Sequence, residues 1–179
     1  RGLLENKCSV SVLLLKGHAF GNYVYNGPRK NTTEEGVPYT YLGFKQRPVN
    51  KFLKIFEELI SFCRLNFHLF SLIGKSKSIG LLVFNSELIF NIPILIFSKI
   101  FRIKLIEFVA ELIDKSEFRR SFFGKVKRFG YIFNFKYLNK ITDKLIVFSI
   151  YLKNEYIKMG YDENKIIIQP NLTDFDFWK

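Results

Sequence analysis

Two acidic side chains that could do chemistry stand close together at Glu111 and Asp114, just after the apolar run 104–109. A carboxylate at the end of a strand can accept a proton from a substrate hydroxyl, which is the task of a general base. The same two acids are equally suited to a solvated loop, or to a helix N-terminus where negative charge is favourable. The sequence leaves both interpretations open.

Four further polar residues follow other apolar runs. In an open α/β sheet, ligands bind beyond the carboxyl ends of the strands, so the residues just after each strand are candidates for lining a cleft. These candidates are His18, Asn85, Glu87 and Ser149. His18 has no Cys, His or carboxylate at metal-ligand spacing, so no metal site is expected there. Ser149 is also well placed to cap a helix, and its role as a ligand contact is the second interpretation.

The elements that must position these residues alternate along the chain. Short apolar runs predict strands, and segments with apolar residues at helical spacing predict helices between them. This alternation predicts an α/β fold with a Rossmann-like, doubly wound and mostly parallel sheet covered on both faces. The predicted strands are 9–15, 37–42, 79–84, 104–109, 144–148 and 166–168, and the predicted helices include 48–72, with its aromatic stripe in the core, and 88–101.

The best-defined unit is the last strand–helix–strand. The strand 144–148 is followed by Ser149 as a helix cap, a helical pattern, and Gly160 where a C-terminal glycine would end the helix. A polar turn and the strand 166–168 then lead to Pro170 and Asn171. This order and length are those of a parallel βαβ unit.

The same residues resemble a known family. Their order is similar to that at the end of the N-terminal domain of GT-B glycosyltransferases of the family 4 type, and the resemblance extends more weakly over nearly the whole chain. The matching positions are Ile146, Val147, Ser149, Gly160, Lys165, Ile166, Pro170, Asn171, Asp174 and Trp178.

The resemblance implies transfer of a sugar from a nucleotide-sugar to an acceptor hydroxyl, with no metal or other cofactor. Residues 1–170 would form the acceptor-side domain without its first strand and glycine-rich loop, and 171–179 a linker towards an absent donor-binding domain, with Asn171 and Asp174 at the hinge. The loop with Glu111 and Asp114 would border the acceptor, a glycan or lipid-linked glycan of the bacterial surface. The protein would be cytoplasmic, or peripheral on the inner leaflet. The 179 residues alone are expected to be inactive.

Charge gives a second line of inference. The 28 Lys and Arg residues against 16 Asp and Glu residues give a net charge of +12. A basic segment with apolar residues at helical spacing spans 115–140, which fits a helix lying on an anionic membrane through Arg119, Arg120, Lys127 and Arg128. It fits equally a helix packed on the sheet with its charges in water.

These observations leave one alternative function of a different class. It is a non-catalytic, basic Rossmann-like module that binds an anionic membrane surface or a partner. No apolar stretch reaches the about 18 residues needed to span a bilayer. Nucleic acid is not expected as a partner, because none of the recognised binding motifs occurs. Cys8 and Cys63 lie far apart and predict two buried, reduced thiols.

Overall fold

The structure is a computed structural model that describes residues 7–17, 27–73, 79–84, 87–110 and 122–169. The chain divides into two compact units, Arg1–Leu72 and Ile73–Lys179. The boundary predicted between residues 170 and 171 lies outside the described residues.

The first unit contains a small mixed sheet and one long helix. Strands β1 (Val12–Leu14), β2 (Lys30–Thr32) and β3 (Pro38–Tyr41) pair in the order β1-β3-β2. β1 runs parallel to β3, whereas β2 runs antiparallel to it. Helix α1 (Lys51–Ser71) begins where the side chain of Asn50 accepts a hydrogen bond from the amide of Phe52, at 2.8 Å. An asparagine in this position is a favoured N-cap.

Helix α1 buries a different face from the one that the sequence predicts. Its buried residues, Glu57, Ser61, Leu65 and Leu69, recur every four positions along one side of the helix. The predicted core stripe is exposed instead, with Phe52 82% accessible. Polar contacts select the buried face: the carboxylate of Glu57 accepts the amide hydrogen of Gly17, at 2.8 Å. The prediction that this stripe forms the core is therefore wrong. The prediction of two buried thiols is also wrong, because Cys8 and Cys63 are both exposed.

The second unit is a four-stranded, all-parallel sheet with helices between the strands. In chain order it contains β4 (Gly80–Phe84), α2 (Leu88–Ile100), β5 (Lys104–Val109), α3 (Phe122–Phe133), β6 (Lys144–Val147), α4 (Ile150–Lys158) and β7 (Ile166–Ile168). The strands pair in sequence order, β4-β5-β6-β7. A π-helix (Asn134–Leu138) and a short 3-10 helix (Asn139–Ile141) continue α3 towards β6. This architecture confirms the predicted α/β, Rossmann-like class.

The two faces of the parallel sheet differ in burial. Alternate residues of β5 and β6, including Leu105, Leu145 and Val147, are almost fully buried and join the core formed with Tyr156 of α4. On the opposite face, Leu82 and Phe84 of β4 are exposed. Coverage of both faces was predicted, but within the described residues only one face is fully buried. In the same part of the chain, no helix is long and apolar enough to cross a bilayer.

Candidate functional site

The carboxyl edge of the parallel sheet carries two of the predicted cleft residues. Glu87 occupies the N-cap position of α2 in an extended conformation and is exposed. Ser149 caps α4, and its hydroxyl oxygen accepts a hydrogen bond from the amide of Leu152, at 3.2 Å. The predicted capping role of Ser149 is therefore confirmed. Both residues lie just beyond a parallel strand, where ligands of such sheets bind.

Eight of the predicted site residues fall outside the part of the chain that the structure describes. The two candidate bases, four cleft and hinge positions, and two of the four membrane-surface cations lie outside the described residues, and their roles stay predictions. They are His18, Asn85, Glu111, Asp114, Arg119, Arg120, Asn171 and Asp174. The two remaining cations, Lys127 and Arg128, are exposed on α3.

The structure adds a buried polar cluster that the sequence interpretation did not single out. Glu107, in the middle of β5, is only 2% exposed. Its Oε1 accepts a hydrogen bond from Asn91 Nδ2 of α2, at 3.3 Å. Asn91 Nδ2 also donates to the side-chain oxygen of Asn134, at 2.7 Å. In the amide orientation that satisfies its neighbours, Asn139 donates to Glu107 Oε2, at 2.9 Å.

The π-helix explains how two asparagines reach one carboxylate. Asn134 begins this helix and Asn139 follows its last residue, so the two are five positions apart. In an ordinary α-helix, residues five apart point in clearly different directions. A π-helix has hydrogen bonds from i to i+5, which brings such residues back to nearly the same side. The local change of helix type therefore places both amides towards β5.

Burial determines the ionisation of this cluster. It raises the pKa of Glu107 to about 7, and the hydrogen bonds from Asn91 and Asn139 offset only part of that rise. Burial also raises the pKa of the Tyr156 hydroxyl, with Tyr161 and Glu107 adding to the effect through their charges. No cation is among the groups that shift either pKa. The protonated carboxyl group is therefore favoured far more strongly than it is for a glutamate in water.

One atom in the same region, Asn91 Oδ1, has no hydrogen-bond partner within the described residues, whereas the Tyr156 hydroxyl interacts with the side chain of Asn139. Such buried orphan groups are uncommon and costly. A carboxyl group that titrates near neutrality has the pKa of a general base, but Glu107 is buried, and both of its oxygens accept hydrogen bonds from asparagines. We therefore assign Glu107 a structural role in joining α2 and the end of the π-helix to β5.

The sequence carried a signal for this cluster. Glu107 is the single charged residue in the run 105–109, and strand alternation puts it on the same face as Leu105 and Val109. Asn91 likewise interrupts an apolar helical pattern. A polar residue at a core position normally has a buried partner, so the two could have been paired in advance.

A cleft of about 170 Å³ lies at the opposite, amino edge of β6 and β7. It is lined by Asn139, Lys140, Thr142, Leu145, Gly160, Tyr161, Asp162 and Lys165. The ammonium group of Lys140 stands 5.5 Å from the centroid of the Tyr161 ring, a cation–π distance. The hydroxyls of Thr142 and Tyr161 donate to the backbone carbonyls of Asn139 and Phe135. These polar groups are thus used within the fold, which favours a packing role for the cleft.

No cluster of three or more His, Cys, Asp or Glu side chains suited to a metal ion occurs in the described ranges. No model of a known protein family matches the sequence, and no curated protein matches it either. Inference about function therefore depends on the residues and the fold.

Proposed function

We propose that this chain is the acceptor-side, N-terminal domain of a GT-B glycosyltransferase similar to family 4. The reaction would move a sugar from a nucleotide-sugar to an acceptor hydroxyl. The supporting observation is the β6–α4–β7 unit, whose sequence carries the resemblance. Its strand, capped helix and second strand occur at Lys144–Val147, Ile150–Lys158 and Ile166–Ile168.

The local geometry of this unit gives a reason for several of the motif residues. Ser149 is required where the chain turns from β6 into α4, because its side chain satisfies an amide that the helix leaves without a partner. Gly160 has a φ of +81°, a left-handed conformation that suits glycine at the end of a helix. Lys165 ends a short 3-10 turn, and Ile166 begins β7 as a buried residue.

Roles for individual residues follow from the proposal. Glu111 or Asp114 would accept the proton of the acceptor hydroxyl as it attacks the anomeric carbon of the donor sugar, while the nucleoside diphosphate leaves. Helix N-termini and basic side chains would offset the phosphate charge without a metal ion. Asn171 and Asp174 would belong to the hinge with the donor-binding domain. The acceptor would be a glycan or a lipid-linked glycan at the cytoplasmic face of a bacterial membrane.

The direct test is to sequence the coding DNA on both sides of this chain and to assay the protein it encodes. A second α/β domain with paired glutamates downstream, and sugar transfer from a nucleotide-sugar, would support the proposal. We expect the 179 residues alone to bind donor weakly and to show no turnover. Turnover by this chain alone would contradict that expectation. No transfer by the complete protein, from any donor in a broad panel, would contradict the proposal.

Ser149 offers a residue-level test in the complete protein. Replacement Ser149→Asp keeps an N-cap acceptor, so the stability of α4 should be retained. If Ser149 lies in a cleft that binds the nucleotide-sugar, the added negative charge should raise KM for this anionic donor. Ser149→Ala serves as the comparison, because it loses the cap without adding charge. An unchanged KM in the aspartate variant would show that Ser149 does not line the cleft that binds the donor.

The alternative function is a non-catalytic, basic Rossmann-like module that binds an anionic surface or a partner. The observation that favours it is the exposure of Lys125, Lys127 and Arg128 together on α3. A coding sequence without a donor-binding domain would favour this alternative, and transferase activity would exclude it.

A further inference from the structure

The segment formed by α3, the π-helix and the 3-10 helix has an unusual surface. Residues 122–142 contain five Lys or Arg residues and no Asp or Glu. The five cations, Lys125, Lys127, Arg128, Lys136 and Lys140, are all exposed. Within the described residues, none of them forms an ion pair with a carboxylate. Among the five, and counting only partners in the part of the chain that the structure describes, Lys140 alone has a cation–π contact, with Tyr161.

Apolar side chains are exposed among these cations. Phe129 and Val126 of α3 are 65% and 52% accessible, and Tyr137 is 58% accessible. Phe129, Phe133 and Tyr137 follow one another at four-residue intervals, with ring centroids 6.0 Å and 5.3 Å apart. We call these three residues the aromatic row. Of the apolar residues at helical spacing in this segment, Val126 and Phe129 are thus exposed, whereas Phe133 is half-buried.

Packing explains why the row faces outward. Helix α3 contacts α2 on its glycine side, where Gly130 is buried and a methyl group added to it would lie 3.4 Å from Leu88. Asn134 is buried next to Asn91, one turn further along the same side. Because Gly130 and Asn134 are held against α2, Phe129 is directed away from it. The exposure of the row is thus set by the contacts of the opposite side.

Cations stand on both ends of the aromatic row. Lys125 is one α-helical turn before Phe129, so it lies on the same side of the helix. Lys136 is the neighbour of Tyr137 in the π-helix. Arg128 is the neighbour of Phe129. Exposed aromatic rings flanked by lysines and arginines on one helical surface are the features of a helix that lies in the interface of an anionic membrane.

We infer that residues 122–141 form a docking surface for an anionic lipid bilayer, with the aromatic row and Val126 entering the interface. Lys125, Lys127, Arg128 and Lys136 would contact lipid phosphates around them. Charge complementarity selects the partner, because the segment carries cations only. Val126 and the exposed Ile141 select lipid over nucleic acid, since aliphatic side chains gain from the acyl boundary but cannot stack on bases as aromatic rings do.

This inference does not depend on the glycosyltransferase proposal, because a transferase and a non-catalytic module can both bind a membrane. The first experiment is sedimentation of the full chain with phosphatidylcholine vesicles, with and without phosphatidylglycerol. We expect binding only to the vesicles that contain the anionic lipid, and weaker binding at high salt. Absence of binding at low salt would overturn the inference.

A double variant that removes two cations from α3, with a matched control, tests where on the chain the vesicles bind. Each cation near an anionic membrane contributes about fivefold to binding, so Lys127→Gln with Arg128→Gln should weaken it roughly 30-fold. The control is Lys99→Gln with Arg102→Gln, which removes the same charge from exposed positions on and just after α2. This control should bind as the unchanged chain does. Equal loss in both variants would mean binding by net charge alone and would overturn the assignment to α3.

Insertion of the aromatic row is tested by fluorescence. Phe129→Trp, made in a Trp178→Phe background, should shift its emission to the blue with anionic vesicles and should be quenched by brominated lipid. Tyr151→Trp in the same background is the control, because Tyr151 is an exposed aromatic on α4. It should not shift. Sedimentation without a shift at position 129 would overturn insertion, and binding of a single-stranded oligonucleotide but not of vesicles would assign the surface to nucleic acid.

Discussion

Asn91 donates a hydrogen bond from α2 to Glu107 on β5, with 3.3 Å between Nδ2 and Oε1. Both residues interrupt runs of apolar residues, and both are almost completely buried. The same amide nitrogen donates to Asn134 at the start of the π-helix. One asparagine therefore connects a helix, a strand and the segment that carries the proposed membrane surface.

Glu107 should make the stability of the second unit depend on pH. Its pKa of about 7 in the folded chain is higher than the ordinary value of 4.5, so the folded state holds the proton more tightly than the unfolded state. This stabilisation is fully present below about pH 4.5 and is lost as pH rises to about 7, for a total of roughly 3 kcal/mol. Urea unfolding, followed by circular dichroism at several pH values across this range, would give the slope of the free energy of unfolding against pH.

The variant Glu107→Gln cannot ionise and should lose this slope. Gln also replaces one acceptor oxygen with a donor, so its stability at low pH should fall by about 1–3 kcal/mol. The free energy of unfolding of the variant, relative to the unchanged chain, should therefore improve by roughly 3 kcal/mol between pH 4.5 and pH 8. An exposed, non-ionising control, Asn154→Ala, should keep the original slope. A slope that persists in Glu107→Gln would show that another group is responsible.

Removing the amide of Asn91 should be costly. Asn91→Ala leaves Glu107 Oε1 and the side-chain oxygen of Asn134 without their shared donor, in a site that water does not reach. A buried polar atom left without a partner costs about 1–3 kcal/mol. The cost should be larger above pH 7, because the carboxylate is then charged. Chemical unfolding at pH 5 and pH 8 measures both values.

Asn154→Ala is again the matched control, since Asn154 is exposed on α4 and surface changes usually stay within about 0.5 kcal/mol. The double variant Asn91→Ala with Glu107→Gln should cost less than the sum of the two single changes at pH 8, because the charge that needs the donor is gone. Additive effects would mean that the two side chains do not interact.

The last βαβ unit was predicted almost completely from the sequence. The predicted strands 144–148 and 166–168 compare with Lys144–Val147 and Ile166–Ile168 in the structure. The helix between them begins after Ser149 and ends before Gly160, as expected. These boundaries are set by local chemistry: a side-chain cap at one end and a left-handed glycine at the other.

Elements set by distant contacts were not predicted. Strand β2, Lys30–Thr32, is wholly polar and exposed, and it exists because it pairs with β3. The aromatic stripe of α1 gave the wrong buried face, because the pattern does not show that Glu57 binds the amide of Gly17. The π-helix depends in the same way on the carboxylate of Glu107, far away in the sequence. Of the predicted site residues, only Glu87, Ser149, Lys127 and Arg128 fall in the described part of the chain.

Gly160 should be intolerant of substitution because of its backbone. Its φ of +81° is strained for residues with a side chain, and a left-handed residue costs roughly 1–2 kcal/mol. Space is not the limit, since an added Cβ would lie 3.5 Å from Lys140 Nζ, an ordinary contact. Gly160→Ala should therefore destabilise the second unit, and Gly160→Asn should do so less, because asparagine adopts this conformation more readily.

Gly80 gives the control for this prediction. An added Cβ at Gly80 would lie 3.9 Å from the carbonyl oxygen of Lys104, and its φ is not positive. Gly80→Ala should be neutral or slightly stabilising in the same thermal unfolding experiment. If Gly160→Ala and Gly80→Ala change the thermal stability equally, the left-handed backbone conformation at the end of α4 does not explain the glycine in the motif.

The close contact between Gly43 and α1 gives a prediction for the first unit. A Cβ added at Gly43 would lie 2.6 Å from the hydroxyl oxygen of Ser61 and 3.0 Å from Cγ of Glu57. The first distance is shorter than real side chains show and the second is tighter than most real contacts, so Gly43→Ala should destabilise this unit by about 1–3 kcal/mol. Ser61→Ala removes the nearer atom. Alone it should cost little, because it loses only the bond from its hydroxyl to the carbonyl of Glu57.

Combined with Gly43→Ala, Ser61→Ala should recover part of the lost stability, and the remaining contact with Glu57 should prevent full recovery. A double-mutant cycle of urea unfolding measures this coupling. The expected sign is favourable: the double variant should be more stable than the sum of the single effects. Additive single effects would contradict the close approach of the loop after β3 to α1, on which the buried contact between Glu57 and Gly17 depends.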